Sequence, residues 1–180
     1  MTVGEFLAWE SRQDLKFEFD GFQPVAMTGG IAAHAAIQRN LIALLYGHLR
    51  GGPCQVFGRD LKIQAAGSIR YPDAFVVCSP VSATDLVITD PIVVFEILSP
   101  GTSATNRIEK NREYRLTPSI QRYVILEQTR PAATIFSRAG DNWLADVAVG
   151  DADLSLPEIG VKLNLAELYA GVPLAAGGTA

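Results

Sequence analysis

The chain is poor in cysteine and has no long uncharged apolar run, and each shortage excludes a class of protein. Its two cysteines, Cys54 and Cys78, form no CxxC motif and belong to no His/Cys cluster. The pattern therefore predicts neither a disulfide framework nor a zinc site, and we expect reduced thiols in a cytoplasmic protein. No stretch of about eighteen uncharged apolar residues occurs, so we expect no membrane-spanning helix. The first twenty residues lack the basic head and apolar segment of a secretory signal.

An excess of positive charge is also missing. The formal net charge is −4, which argues against a protein whose whole surface binds nucleic acid. It leaves room for a local basic rim around an acidic, metal-loaded centre. With 48% hydrophobic and 19% charged residues, the composition is that of a folded protein. The length of 180 residues predicts a single domain over residues 1–172, followed by a loose tail over residues 173–180.

Hydrophobic periodicity predicts three helices before the final segment of the chain. Thr2 and Glu5 fit a capping box at the start of a helix over residues 2–12. Gly29-Gly30 precedes a helix over residues 31–50 with one apolar face, and a polar helix follows over residues 104–116. Asn164 is a predicted cap for a short last helix in NLAELY.

Strands are predicted between these helices. Asp20-Gly21 marks a hairpin turn, and buried strands follow in CQVFGRDLKIQ, IRYPDAFVVC and IVVFEIL. Further strands are predicted in RYVILEQ, ATIFSR and WLADVAV. The order of elements is that of an α/β protein of the mixed α+β kind, built around a central sheet.

Two carboxylates interrupt the apolar strands. Asp73 opens one apolar run and Glu96 lies near the end of the next. If the two strands pair antiparallel, the acids lie close together at one edge of the sheet. Ionised carboxylates in an apolar interior protonate, pair or bind a metal, and Mg²⁺ commonly takes one or two of them. Taken singly, each acid also fits a structural role, Asp73 as a strand start and Glu96 as the partner of an arginine.

The chain resembles the bacterial Uma-two family of restriction-endonuclease-like proteins, in the PD-(D/E)xK nuclease superfamily. The motifs that carry the likeness are Tyr71-Pro72-Asp73, FEILSP over residues 95–100 and RIEKNREY around Lys110, with EFLAWE, FEFDGFQPVAM and LNLAELYAG at the two ends. The resemblance implies a restriction-endonuclease-like core with a central mixed sheet flanked by helices. It also implies Mg²⁺-dependent phosphodiester hydrolysis, with Mn²⁺ as a substitute, and makes Asp73 and Glu96 the metal ligands. The backbone carbonyl of Ile97 is a further candidate ligand.

One position departs from the superfamily pattern. The pattern has lysine two residues after the second acid, where this chain has Leu98. In the Uma-two family the lysine lies on the following helix, which makes Lys110 the candidate. Asn106, one turn earlier, stands where family members often carry Asp. The alternative for Lys110 is a solvated surface lysine between Glu109 and Glu113.

Two further residues are second-tier candidates. His34 lies on the apolar helix face, which fits a core histidine or, near a metal, a group that orients water or phosphate. Glu18 alternates with Lys16 and Asp20, which is typical of the wet face of a hairpin, although Uma-two proteins also tend to carry Glu there.

We therefore expect an endonuclease acting on DNA, and cleavage of both strands favours a homodimer. A local basic rim is expected from charged residues around the site: Arg107, Arg112, Arg115, Arg59 and Lys62. Two alternatives stay open. One is a catalytically impaired nuclease fold that acts as a nucleic-acid-binding or assembly module. The other is a metal-free hydrolase that uses the acid pair, as glycosidases do.

Overall fold

The computed structural model describes residues 1–27, 29–98 and 104–174, without the side chains of residues 104–107. The helices of this part are α1 (Val3–Glu10), α2 (Ala32–Leu49), α3 (Ala104–Leu116) and α4 (Leu165–Leu168), with a 3-10 turn at Pro157–Ile159. The strands are β1 (Phe17–Phe19), β2 (Pro24–Ala26), β3 (Gln55–Gly58), β4 (Lys62–Ala65), β5 (Ser68–Arg70), β6 (Ala74–Val77), β7 (Val87–Ile88), β8 (Val93–Leu98), β9 (Arg122–Glu127), β10 (Ala132–Ala139), β11 (Asn142–Val149), β12 (Asp153–Leu156) and β13 (Val161–Asn164).

The main sheet is mixed. Its order is β11-β10-β9-β8-β6-β3, in which β8 and β9 run parallel and the other neighbours antiparallel. A second sheet has the order β2-β1-β5-β4-β7, and β12 pairs with β13. The predicted mixed α+β class, with a central mixed sheet flanked by helices, is confirmed.

The central strands are apolar on both faces because a helix covers each face. On one face Phe95 and Val124 belong to the same buried cluster as Leu41 of α2. On the other face Val94 and Tyr123 cluster with buried side chains that include Tyr114 of α3. Strands buried on both faces read as continuous apolar runs, which is the pattern seen in β6 and β8.

Local signals set several boundaries where the sequence predicts them. Thr2 Oγ1 accepts from the Glu5 N–H and the Glu5 carboxylate accepts from the Thr2 N–H, which completes the capping box of α1. At the β1–β2 turn Asp20 Oδ1 accepts from the backbone N–H groups of Phe22 and Gln23. Gly21 has φ +91° there, which only glycine adopts without strain.

Two predicted strands are wrong in their extent. CQVFGRDLKIQ divides into β3 and β4, and IRYPDAFVVC into β5 and β6, with each half in a different sheet. In the second segment Pro72 separates the halves, because proline has no N–H for a strand ladder. The β12–β13 hairpin, which lies between β11 and α4, is not among the predicted strands.

The prediction of reduced thiols is also wrong. Cys54 and Cys78 form a disulfide, with Cα atoms 3.9 Å apart. The register of β3 against β6 pairs Gln55 with Val77, so the two cysteines face each other just beyond the paired residues. They are 24 residues apart in sequence, and only strand pairing makes them neighbours.

None of the helices in the described ranges is both long and apolar enough to cross a membrane. Of the tail expected over residues 173–180, residues 175–180 lie outside the described part. The single-domain boundary at residue 172 stays a prediction.

Candidate active site

Asp73 and Glu96 lie opposite each other on neighbouring strands. Strand β6 pairs antiparallel with β8 through Ala74 and Phe95, and the register continues to the two acids. Asp73 Oδ2 accepts a hydrogen bond from the Ile97 N–H at 2.7 Å. The predicted antiparallel pairing is therefore confirmed, and the side chains of Asp73 and Glu96 are only 8% and 15% exposed.

Helix α2 holds Asp73 from the other side. His34 Nε2 lies 3.2 Å from Asp73 Oδ2, and Gln38, one turn later, donates from Nε2 to the Asp73 carbonyl at 2.8 Å. The absence of a side chain at Gly30 leaves room for the imidazole, since a Cβ there would lie 3.0 Å from the His34 ring. His34 thus joins the site through Asp73, as a group that orients this carboxylate.

Lys110 reaches the acids from α3. Its Nζ lies 3.1 Å from Glu96 Oε1 and 3.0 Å from Glu18 Oε1, and its side chain is 12% exposed. The alternative of a solvated surface lysine is wrong. Tyr114, four residues later on the same helix face, donates its hydroxyl to Glu96 Oε1 at 2.8 Å.

Glu18 belongs to the same cluster. It is 6% exposed, so the expectation of a wet hairpin face is wrong. Its Oε1 accepts from the Tyr71 N–H at 3.1 Å as well as from Lys110, while Oε2 accepts from Arg70 Nη1 at 3.2 Å. Strand β1 pairs with β5 inside the second sheet, and β5 ends at Arg70, so this pairing brings Glu18 to the Arg70 and Tyr71 donors.

Sequence reasoning missed an arginine–glutamate pair behind these residues. Arg70 donates from Nε and Nη2 to the two oxygens of Glu113 at 2.7 and 2.8 Å. Ser68 donates its hydroxyl to Glu113 Oε1 at 2.8 Å. Arg70 and Glu113 are 2% and 3% exposed. The usable signal was helical spacing, since Lys110, Glu113 and Tyr114 share one face of α3.

The cluster carries more negative than positive charge. Among its described side chains, four carboxylates (Glu18, Asp73, Glu96, Glu113) face two fixed cations (Arg70, Lys110). Burial raises the pKa of Glu96 to about 7; Lys110 opposes that rise, while Asp73 and Glu18 add to it. Four acids against two bases leave a formal surplus of two negative charges when all are ionised and His34 is neutral.

The other pKa shifts keep the donors protonated. Burial lowers the pKa of Lys110, but Glu96 and Glu18 outweigh it and hold the value above normal. Burial raises the pKa of Tyr114 far above normal, and Glu96 adds to this. For Glu18, burial is outweighed by Lys110 and Arg70, so its pKa lies below normal.

The donor set fits a small divalent cation. Asp73 and Glu96 bring two carboxylates to neighbouring positions, and the bonds described above hold each of them through one oxygen, Asp73 Oδ2 and Glu96 Oε1. Within the described ranges no three His, Cys, Asp or Glu side chains are grouped to hold a metal by themselves. A site of two carboxylates suits Mg²⁺, which retains water and takes substrate oxygens. The Ile97 carbonyl as a ligand stays a prediction.

The predicted basic rim is present only in part. Arg112 and Arg115 are exposed on α3. Lys62 is not available for a phosphate, because it is paired with Glu10 and its side chain is 14% exposed. The side chains of Asn106 and Arg107 lie outside the described residues.

The fold is restriction-endonuclease-like. The chain superposes with a TM-score of 0.78 on a crystal structure of a "putative nuclease belonging to DUF820" from Anabaena variabilis, covering 94% of this chain and 97% of that chain. The two sequences are 18% identical, so this likeness concerns the fold alone.

Sequence comparison identifies the family. Residues 3–166 match the model of Uma2, described as "putative restriction endonuclease", and the chain belongs to this family. It is 35% identical over 176 residues to the Synechocystis sp. protein slr1290, covering 96% of this chain and 93% of that protein. It is 26% identical over 157 residues to sll1609 of the same organism, covering 84% and 89%.

Proposed function

We propose that this protein is a Mg²⁺-dependent endonuclease that hydrolyses phosphodiester bonds of DNA. The observation that carries the proposal is the placement of Asp73 opposite Glu96 with the Lys110 ammonium 3.1 Å from Glu96 Oε1. Family membership supports the nuclease class, and the surplus of buried carboxylates supports the cation. The choice of DNA follows from the family description.

Asp73 and Glu96 hold the ion, and each is oriented by a separate element. His34 and the Ile97 N–H fix Asp73 Oδ2, while Tyr114 and Lys110 fix Glu96 Oε1. When bound, Mg²⁺ supplies a Lewis acid for the phosphate and lowers the pKa of water. Lys110 donates hydrogen bonds to the attacking water or to the phosphate oxygens as negative charge develops on them.

Exposed cations such as Arg112 and Arg115 bind phosphates of the DNA away from the two carboxylates. DNA binding therefore weakens as the salt concentration rises. A single centre cuts one strand at a time, and a homodimer accounts for cleavage of both strands. Light scattering of the purified protein tests the dimer directly.

The decisive experiment is plasmid nicking in Mg²⁺ or Mn²⁺, with EDTA as the control. We expect nicked and then linear DNA in metal, no product in EDTA, and no product from Asp73→Asn. Hydrolysis that persists in EDTA contradicts the proposal and favours metal-free acid–base chemistry by the same two carboxylates.

One observation favours a second candidate, a catalytically impaired nuclease fold that acts as a nucleic-acid-binding or assembly module. Leu98 stands where the superfamily pattern has its lysine, and it packs against the apolar cluster under α3. Salt-sensitive DNA binding by the wild type without cleavage in either metal supports this candidate over the first.

A further inference from the structure

Lys110 is held by a chain of buried contacts that begins away from the reacting atoms. Arg70 donates from Nη1 to Glu18 Oε2, and the other oxygen of Glu18 accepts from Lys110 Nζ. The same arginine binds both oxygens of Glu113, which lies three residues after Lys110 on α3. Arg70 therefore connects to the lysine by two routes, through Glu18 and through the helix backbone.

The two routes fix different properties of the lysine. Glu18 fixes the position of the ammonium group, because its Oε1 accepts from Lys110 Nζ at 3.0 Å in addition to the contact of Nζ with Glu96. Glu113 fixes the rotation of α3 about its axis, since residues three apart lie on one face of a helix. With Arg70 2% exposed, water does not replace these bonds when one of them is lost.

We propose that Arg70, Glu18 and Glu113 form a positioning relay that sets the Lys110 ammonium beside Glu96. The effect of the relay on catalysis rests on the proposed function. The position that the relay gives to Lys110 is a property of the free protein. None of the three residues needs to contact the substrate. Their effect passes through the position of Lys110.

The guanidinium group is required because three of its nitrogens are used. Nε and Nη2 bind the two oxygens of Glu113 in parallel, and Nη1 binds Glu18. The Lys ammonium is a point charge without this planar fork, so it cannot serve both carboxylates in the same geometry. Arg70→Lys therefore keeps the charge and removes the relay.

The first test measures catalysis in three variants. We expect Arg70→Lys and Glu18→Gln each to lower the single-turnover cleavage rate roughly 10- to 100-fold, the range for groups that orient a ligand or catalytic side chain. The KM for DNA and the half-saturating Mg²⁺ concentration should change less than about twofold in Arg70→Lys. Glu158→Gln is the matched control, because it breaks a buried pair with Arg122 at the other end of β9 and lowers stability without touching the relay.

The second test does not depend on cleavage. An amine-reactive label is applied to the metal-free protein, and its rate of attachment to Lys110 is measured by peptide mass spectrometry. We expect about a tenfold or larger increase in Arg70→Lys and Glu18→Gln, because the loss of a hydrogen bond to a charged group raises the population of conformations in which the amine is accessible. Lys62 in the same samples is the internal standard. Lys62 is also buried and paired, but with Glu10.

The outcomes separate the relay from the proposed function. If the wild type cuts no DNA but the labelling of Lys110 rises in the variants, the nuclease proposal fails and the relay stands. If labelling and cleavage both match those of Glu158→Gln, the relay is overturned and Arg70 is structural. If Arg70→Lys does not fold, Glu18→Gln decides by the same two readouts, since it leaves the Arg70–Glu113 pair in place.

Discussion

Two groups of buried charges in this protein differ in their balance. At one end of β9, Arg122 donates to Glu158 at 2.6 Å and to Ser137, and one cation meets one anion. In the active site, the described carboxylates outnumber the fixed cations by two. Both groups are well hydrogen-bonded, so the difference lies in net charge and not in missing partners.

We interpret this difference as that between a structural ion pair and the proposed cation site. Removing either partner of a balanced pair destabilises the protein, because the other charge then lacks its counter-charge. In the unbalanced cluster burial raises the pKa of Glu96, and repulsion from Asp73 and Glu18 adds to that rise against the attraction of Lys110. Under the proposed function, we expect a divalent ion to relieve that repulsion, with the residues that lower stability in its absence serving as its ligands.

The largest effect is expected from removing a site carboxylate. Asp73→Asn or Glu96→Gln should lower metal-dependent DNA cleavage by about 10³-fold or more, since electrostatic stabilisation of the phosphate is lost. The fold should survive, with unfolding in metal-free buffer unchanged or shifted to higher temperature. Plasmid cleavage and circular dichroism on the same samples check both claims. An Asp73→Asn protein that does not fold makes the acid structural and removes the basis of the comparison.

Breaking the Arg122–Glu158 pair should lower stability, whereas removing a carboxylate of the site should not. Glu158→Gln leaves the half-buried Arg122 without its anion and should lower the free energy of unfolding by up to about 3 kcal/mol. Urea unfolding at neutral pH measures the change. Equal destabilisation by Glu96→Gln in metal-free buffer would falsify the distinction between the two groups.

The pH dependence of stability separates the groups further. Burial raises the pKa of Glu96 from 4.5 to about 7 in the folded state. Its contribution to stability is therefore complete below pH 4.5 and is lost as the pH rises through 7, by on the order of 3 kcal/mol in metal-free buffer. Glu96→Gln should lack this loss. Urea unfolding of the wild type and of Glu96→Gln at pH 5 and pH 8 in EDTA measures how the free energy of unfolding changes with pH. The same change in both proteins contradicts the assignment of this loss to Glu96.

Loss of the lysine should slow the reaction without emptying the cation site. We expect Lys110→Ala to reduce the cleavage rate about 10²-fold, the loss typical of one preorganised donor. Metal affinity should hardly change, because the carboxylates remain. Single-turnover rates across a Mg²⁺ titration separate the two quantities. A shift of the titration midpoint with an unchanged maximal rate assigns Lys110 to metal binding instead.

The two acids of the site could be predicted because they break the apolar pattern of their segments. Asp73 and Glu96 are acids in apolar runs, and that conflict is visible in any reading of the chain. Lys110 and His34 needed the resemblance to the family, since spacing alone also fits a surface lysine and a core histidine. In the structure these four residues lie in one cluster.

The rest of the site depends on tertiary structure. Glu113 reads as a surface residue of a polar helix until α3 packs on the sheet, and Arg70 is an isolated cation in its strand. Glu18 alternates like a solvent-facing residue because the second sheet, which buries it, cannot be seen in a three-residue strand. The division of IRYPDAFVVC at Pro72 was the available signal for that second sheet.

The smallest effect is expected at an exposed pair. Lys162 Nζ lies 2.7 Å from Asp153 Oδ2, as close as the contacts of the site, but the two side chains are 66% and 41% exposed. Water screens such a pair, so Lys162→Ala should leave the free energy of unfolding almost unchanged. Urea unfolding at two salt concentrations measures the effect and its screening. A change as large as that of Glu158→Gln means that proximity, and not burial with charge balance, sets the strength of ion pairs in this protein.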